Sequence, residues 1–132
     1  MTASRLLTAE LLERLLSNGL APDIDHVPVV KLFNPIGAGT WLATELANDG
    51  DTLFGLADLG FGFPEMGSFS LRELETISLP LGMHIERDQS FATDQPVSVW
   101  SQAARATASL SAAEEILRAV RPDTARLGED GP

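Results

Sequence analysis

Residues 27–74 read VPVVKLFNPIGAGTWLATELANDGDTLFGLADLGFGFPEMGSFSLREL. The stretch holds five of the six Phe and one of the two Trp. Val27–Phe33 is rich in β-branched residues and reads as a strand. Asn34-Pro35 stops it, because Pro35 biases Asn34 to extended backbone and has no N–H for a ladder. Ile36-Gly37-Ala38-Gly39 is a tight turn. Thr40–Ala47 and Thr52–Leu59 read as second and third strands, separated by the turn signal Asn48-Asp49-Gly50-Asp51. Connections this short favour an antiparallel meander. Alternation along the second strand places Leu42 and Leu46 towards the core and Trp41 with Glu45 on the other face. Gly60–Gly67, with aromatics between glycines, reads as an irregular link with bulges or positive φ. Ser70 with Glu73 three residues on is a capping box, opening a helix over 70–78.

On the N-terminal side, Thr8 is an N-cap and Leu7 and Leu12 can form a hydrophobic staple. Leu11, Leu12, Leu15 and Leu16 make one apolar stripe, and Asn18-Gly19 ends this helix. On the C-terminal side, Gly82–Arg87 is a candidate fourth strand, with Met83 and Ile85 on one face. Ser98 is a candidate cap for a helix holding Trp100, Ala103 and Ala104. Ser111 with Glu114 reads as a second capping box. These features allow one bent helix or two, ended by Pro122. The expected fold is α+β: a three- to four-stranded, mainly antiparallel curled sheet. It is packed by an N-terminal helix, a mid-chain helix and one or two C-terminal helices. One domain spans 1–120, and the polar residues 121–132 read as a disordered tail.

With 132 residues and 44% hydrophobic content, the chain can bury a single core. No apolar run approaches the ~20 residues of a membrane helix. The leucine-rich start is broken by Arg5, Glu10, Glu13 and Arg14, so no signal peptide is read and a cytoplasmic location is expected. There is no Cys or Tyr and there are two His, His26 and His84. Thiolate chemistry and cysteine zinc sites are excluded, and acid–base chemistry is left mainly to carboxylates. The net charge is −10. Residues 41–94 contribute most of it, with Arg72 and Arg87 the only cations among ten carboxylates. Such a field repels phosphates, so direct nucleic-acid binding is not expected. A protein partner with a basic surface suits it better, and a weak homodimer is compatible with that.

Several spaced blocks resemble one bacterial family, domain of unknown function 2958. They are Lys31-Leu32-Phe33-Asn34-Pro35, Thr40-Trp41-Leu42, Glu45-Leu46, Phe54 to Gly60, Pro64-Glu65-Met66-Gly67, Leu71-Arg72-Glu73-Leu74 and Ile85-Glu86-Arg87-Asp88. The resemblance runs from about His26 to about Ala104. It implies a compact domain carried on plasmids and integrated mobile elements. It implies no reaction and brings no catalytic residues.

Seven residues exceed what strand-building demands: Lys31, Asn34, Trp41, Glu45, Asp58, Glu65 and Arg87. Glu45, Asp58 and Glu65 would converge if the strands pair in register, as a hard-cation site or an acid–base group; otherwise they form a solvated acidic face. Asp58, set among Leu56, Ala57 and Leu59, needs a partner if partly buried, and Lys31 and Arg87 are the candidates. Trp41, Phe61 and Phe63 either fill the core or form an exposed aromatic patch beside the acidic face. Gly37-Ala38-Gly39-Thr40 lacks the Lys of a phosphate loop and precedes a strand, so it reads as a hairpin turn. No EF-hand or HExxH spacing is present. No metal, cofactor or catalytic residue is assigned. The leading expectation is a non-enzymatic interaction or accessory module, with a small carboxylate- or metal-dependent enzyme as the alternative.

Overall fold

The computed structural model describes residues 4–129, with side chains up to residue 119. Its elements are α1 (Ala9–Gly19), β1 (Val30–Phe33), β2 (Thr40–Leu46), β3 (Thr52–Asp58), β4 (Glu65–Ser70), α2 (Leu71–Thr76), a 3₁₀ turn at Pro80–Gly82, β5 (Glu86–Arg87), α3 (Val97–Thr107) and α4 (Leu110–Glu129). The strands form one antiparallel sheet in the order β4-β3-β2-β1-β5. The fold is α+β, as expected, with one strand more than the sequence suggested.

That extra strand is β4. Its residues, with Gly67 and two serines, have weak strand propensity, so the segment reads as a link. It pairs because the turn after Asp58 returns it alongside β3, from Thr52–Ser70 to Ala57–Glu65. The strand expected over Gly82–Arg87 shrinks to Glu86–Arg87, since Leu81 and Gly82 both adopt positive φ. Ile85 is buried and His84 is exposed, as the alternation requires.

The sheet is covered on both faces. One face packs Leu32, Trp41, Ala43, Leu46 and Leu53 against Leu12 and Leu15 of α1, Leu71 and Leu74 of α2, and Leu6 and Leu7. The other packs Leu42 and Leu56 against Val97, Trp100 and Ala104 of α3 and Leu110 and Ala113 of α4. Double burial explains why β2 is buried almost throughout and shows no clean alternation.

A bulge in β2 corrects the expected parity. Ala43 pairs with Gly55 but Glu45 pairs with Phe54, so Thr44 is the extra residue. Trp41 and Leu46 therefore share the α1–α2 face, whereas Leu42 and Glu45 turn to the α3–α4 side. Thr44 is buried; its hydroxyl donates to the Phe54 carbonyl at 3.1 Å, and its carbonyl accepts from Asn18 Nδ2 at 2.9 Å. Asn18 thus ties α1 to the bulge. Gly19 is not a left-handed cap: a Cβ there would lie 2.3 Å from the Leu46 carbonyl oxygen, so this glycine permits close helix–strand approach.

The other helix ends follow local chemistry. Thr8 accepts from Leu11 N–H and Ser70 from Glu73 N–H, confirming both caps. α3 and α4 are two helices, divided at Ala108 in the left-handed region. Ser98 does not cap α3; its N–H donates to Asp25 from the connector before β1. The cap of α4 lies two residues earlier than expected, with Ser109 Oγ accepting from Ala112 N–H, which leaves Glu114 free to pair elsewhere. α4 continues past Pro122, at the loss of one helical hydrogen bond. The tail expectation for 121–132 falls on positions without described side chains and, beyond 129, outside the described residues.

Gly55 faces the bulge, and a Cβ there would lie 1.8 Å from the Leu42 carbonyl oxygen. Gly55→Ala should therefore lower unfolding free energy by about 3 kcal/mol in a urea titration. A loss below about 1 kcal/mol would show that the strands relax around the added methyl.

Candidate functional site

The structure disperses most of the seven residues singled out by sequence. Asn34 staples the β1–β2 turn: Oδ1 accepts from Ile36 N–H at 3.0 Å and Nδ2 donates to the Ala38 carbonyl at 3.2 Å. Trp41 is buried in the α1–α2 core. Arg87 donates through Nε to the Leu6 carbonyl at 2.9 Å, fastening the N-terminal segment to the sheet. Glu65 is exposed at the start of β4.

The acidic residues do not converge. Glu45 pairs with Phe54 and Asp58 with Thr40, so they stand four strand positions apart, roughly 13 Å. Glu65 pairs with Ala57, which lies on the α1–α2 side, opposite to Asp58. Partial burial raises the Glu45 carboxyl above its ordinary value, against a smaller opposing pull from His26. Among the described residues no group of three or more His, Asp and Glu is arranged to hold a metal ion.

Asp58 has partners other than Lys31 and Arg87. Its Oδ2 accepts from Leu110 N–H at the start of α4, at 2.9 Å, and its Oδ1 accepts from Gly60 N–H at 2.9 Å. A carboxylate suits a helix N-terminus, where free N–H groups and the dipole favour negative charge. One side chain therefore anchors α4 and shapes the loop after β3.

That loop carries the main exposed apolar surface at this end of the sheet. Leu59 is 53% exposed, Phe61 78% and Phe63 76%, with Pro64 buried behind them. Gly60 and Gly62 hold φ of 90° and 84°, which lets the chain turn sharply and leave both rings outside. A Cβ on Gly60 would lie 2.4 Å from Ala38 Cβ, so this loop abuts the β1–β2 turn, where Ile36 is 43% exposed. Ile36, Leu59, Phe61 and Phe63 thus occupy one end of the sheet, on two adjoining turns. Arg105 of α3 and Glu65 share a hollow of about 240 Å³ with Phe63. Of the two readings open for the aromatics, Trp41 takes the core and the two Phe take the surface. This arrangement has no reactive group at its centre; it can dock apolar side chains within a charged rim.

Lys31, the chain's only lysine, instead organises an ion network that sequence reading missed. Its Nζ donates to Glu114 Oε1 at 2.7 Å and lies 3.5 Å from Asp88 Oδ2. Arg118 Nη2 reaches Glu114 Oε2 at 3.3 Å. Nζ also lies 5.9 Å from the centre of the Phe33 ring. Asp88, Glu114 and Arg118 border a groove of about 290 Å³ that is also lined by Ser90, Phe91, Thr93 and Trp100. Burial pushes the Asp88 carboxyl up, but the Ser90 hydroxyl and N–H and the Lys31 ammonium outweigh it, and the group titrates below its ordinary value. The spacing of Glu114 and Arg118, four apart on a helix, was the available signal; their meeting with Lys31 across 83 positions was not.

Lys31→Met would leave partly buried Asp88 without its cation and Glu114 with Arg118 alone, and should lower stability by about 2 kcal/mol at neutral pH. Asp88 has a depressed carboxyl, so its contribution is present above the ordinary value of 3.8 and is lost as pH falls through the folded value. The gap between wild type and variant in urea titrations should therefore narrow below pH 3.8. A gap independent of pH would show that Lys31 acts by packing alone.

Neither curated proteins nor solved structures yielded a match to this chain. A family model described as "Protein of unknown function (DUF2958)" matches residues 6–111, which include the sheet, α1 to α3 and the start of α4. On that match, the chain belongs to the DUF2958 family.

Proposed function

We propose that this protein is a non-enzymatic interaction module that docks a protein partner on its exposed aromatic turn. The observation that carries the reading is the exposure of Phe61 and Phe63, 78% and 76%, in a loop pinned by Asp58 and Pro64. Two Phe held outside a complete core place apolar area where a partner can cover it. The net charge of −10 favours a partner whose surface around that contact is basic. In this reading the module belongs to a plasmid or integrated mobile element and blocks a basic, nucleic-acid-binding face of a host defence protein. It binds no nucleic acid itself. Lys31, Asn34, Trp41 and Arg87 serve the scaffold, Asp58 positions the loop, and Glu65 lies on the rim.

The test is capture from a bacterial host lysate by the immobilised protein, at low and high salt, beside Phe61→Ala/Phe63→Ala. The wild type should retain a basic protein at low salt, release it as salt rises, and lose it in the double variant. No capture at either salt, or equal capture by the double variant, would contradict the proposal.

A further inference from the structure

β4 ends the sheet on its side, and the direction of its free hydrogen-bonding groups can be assigned. Leu71 N–H donates to the Asp51 carbonyl, one pair beyond Thr52–Ser70. Hydrogen-bonded and non-bonded pairs alternate along an antiparallel ladder. Phe69, Gly67 and Glu65 are then the β4 residues bonded to β3. The other side of β3 gives the same phase, since Ala47 N–H donates to the Thr52 carbonyl. Met66 and Ser68 therefore direct their N–H and C=O groups away from the sheet.

This edge lacks the usual protection. It is six residues long, whereas β5 at the opposite edge has two. It carries no Lys, Arg or Pro and no bulge, and its one charge, Glu65, stands at the first position. A Cβ on Gly67 would meet nothing within 4 Å, so the middle of the strand is open.

We infer that β4 is a self-pairing edge, at which a second copy of this chain adds antiparallel about a two-fold axis through Gly67. A second copy presents the same outward Met66 and Ser68 groups, and three features fix this register. Opposed residues of an antiparallel pair share a face, so the axis must pass through a residue; an axis between Gly67 and Ser68 would oppose Met66 and Phe69, which lie on opposite faces. An axis through Ser68 would drive Glu65 against Leu71, where α2 begins. About Gly67, Met66 of each copy exchanges hydrogen bonds with Ser68 of the other, Glu65 faces Phe69, and Pro64, which has no N–H, falls opposite Ser70. The ladder then runs from Glu65 to Phe69 and stops at Pro64 on one side and Ser70, the cap of α2, on the other. The contact is small and both copies are acidic, so the dimer is weak and strengthens as salt screens the charge. That salt dependence is opposite to the one expected for a basic partner at the aromatic turn, and either interaction can fail without the other.

Sedimentation equilibrium across a range of concentrations, at low and near-molar salt, tests the inference. Ser68→Pro removes an outward N–H from each copy without touching the bonds to β3; Ser68→Lys places a charge on the same edge. The wild type should dimerise with rising concentration and more strongly at high salt. Ser68→Pro should weaken association about tenfold or more with its melting temperature kept, and Ser68→Lys should weaken it at low salt. A wild type that stays monomeric at millimolar concentration in near-molar salt would overturn the inference and leave the edge to a strand from a different protein. Equal dimerisation of the wild type and both variants would overturn it too.

Discussion

The close passage of Gly55 against the β2 bulge is the constraint on which the rest of the structure depends. Thr44 is one residue too many for its partner strand, and only a residue without a side chain fits beside the displaced backbone. The bulge reverses the facing of everything after it in β2. Trp41 and Ala43 before it and Leu46 after it consequently line the same face. Leu42, which precedes the bulge, alternates to the opposite face, where it clusters with Leu56 and Trp100. Thr44, the bulged residue, offers its carbonyl to Asn18, and Gly19 lets α1 settle on Leu46. One irregular residue thus connects the N-terminal helix, the split of the core into two clusters and the near-complete burial of the central strand.

The far end of β3 repeats this economy. Asp58 satisfies the first N–H of α4 and the N–H of Gly60, so the helix that closes one face and the loop that leaves the sheet share an anchor. Lys31 fixes α4 a turn further on through Glu114. Both polar residues are used to hold elements in place. The apolar side chains of the loop, in contrast, contribute to neither core cluster. The proposed docking surface rests on this division of labour: the turn has apolar side chains to spare, whereas Asp58 and Lys31 are spent on the scaffold.

Much of the fold was legible because local chemistry agreed with tertiary context. The Thr8 and Ser70 caps, the three central strands and their meander follow from side-chain types read a few residues at a time. The misreadings arose where distant contacts decide. β4 pairs despite poor propensity because β3 is there to receive it. The parity of β2 depends on a bulge that Thr44 does not advertise. Asp58 was recognised as needing a partner, yet its partner is the N-terminus of a helix 52 positions away. Trp41 and Phe61 look alike as aromatics near glycines; only the pairing of Trp41 with Ala57 and the positive φ of Gly60 and Gly62 separate the one inside from the one outside.

The central claim is that Phe61 and Phe63 are held out for a partner and are not needed by the fold. The unfolding free energy of Phe61→Ser/Phe63→Ser tests it most directly, with Trp41→Ala as the reference for a buried aromatic. The double variant should stay within about 0.5 kcal/mol of the wild type, while Trp41→Ala loses roughly 3–5 kcal/mol. A double variant destabilised by more than about 2 kcal/mol would place the two rings in the folded core and contradict the claim.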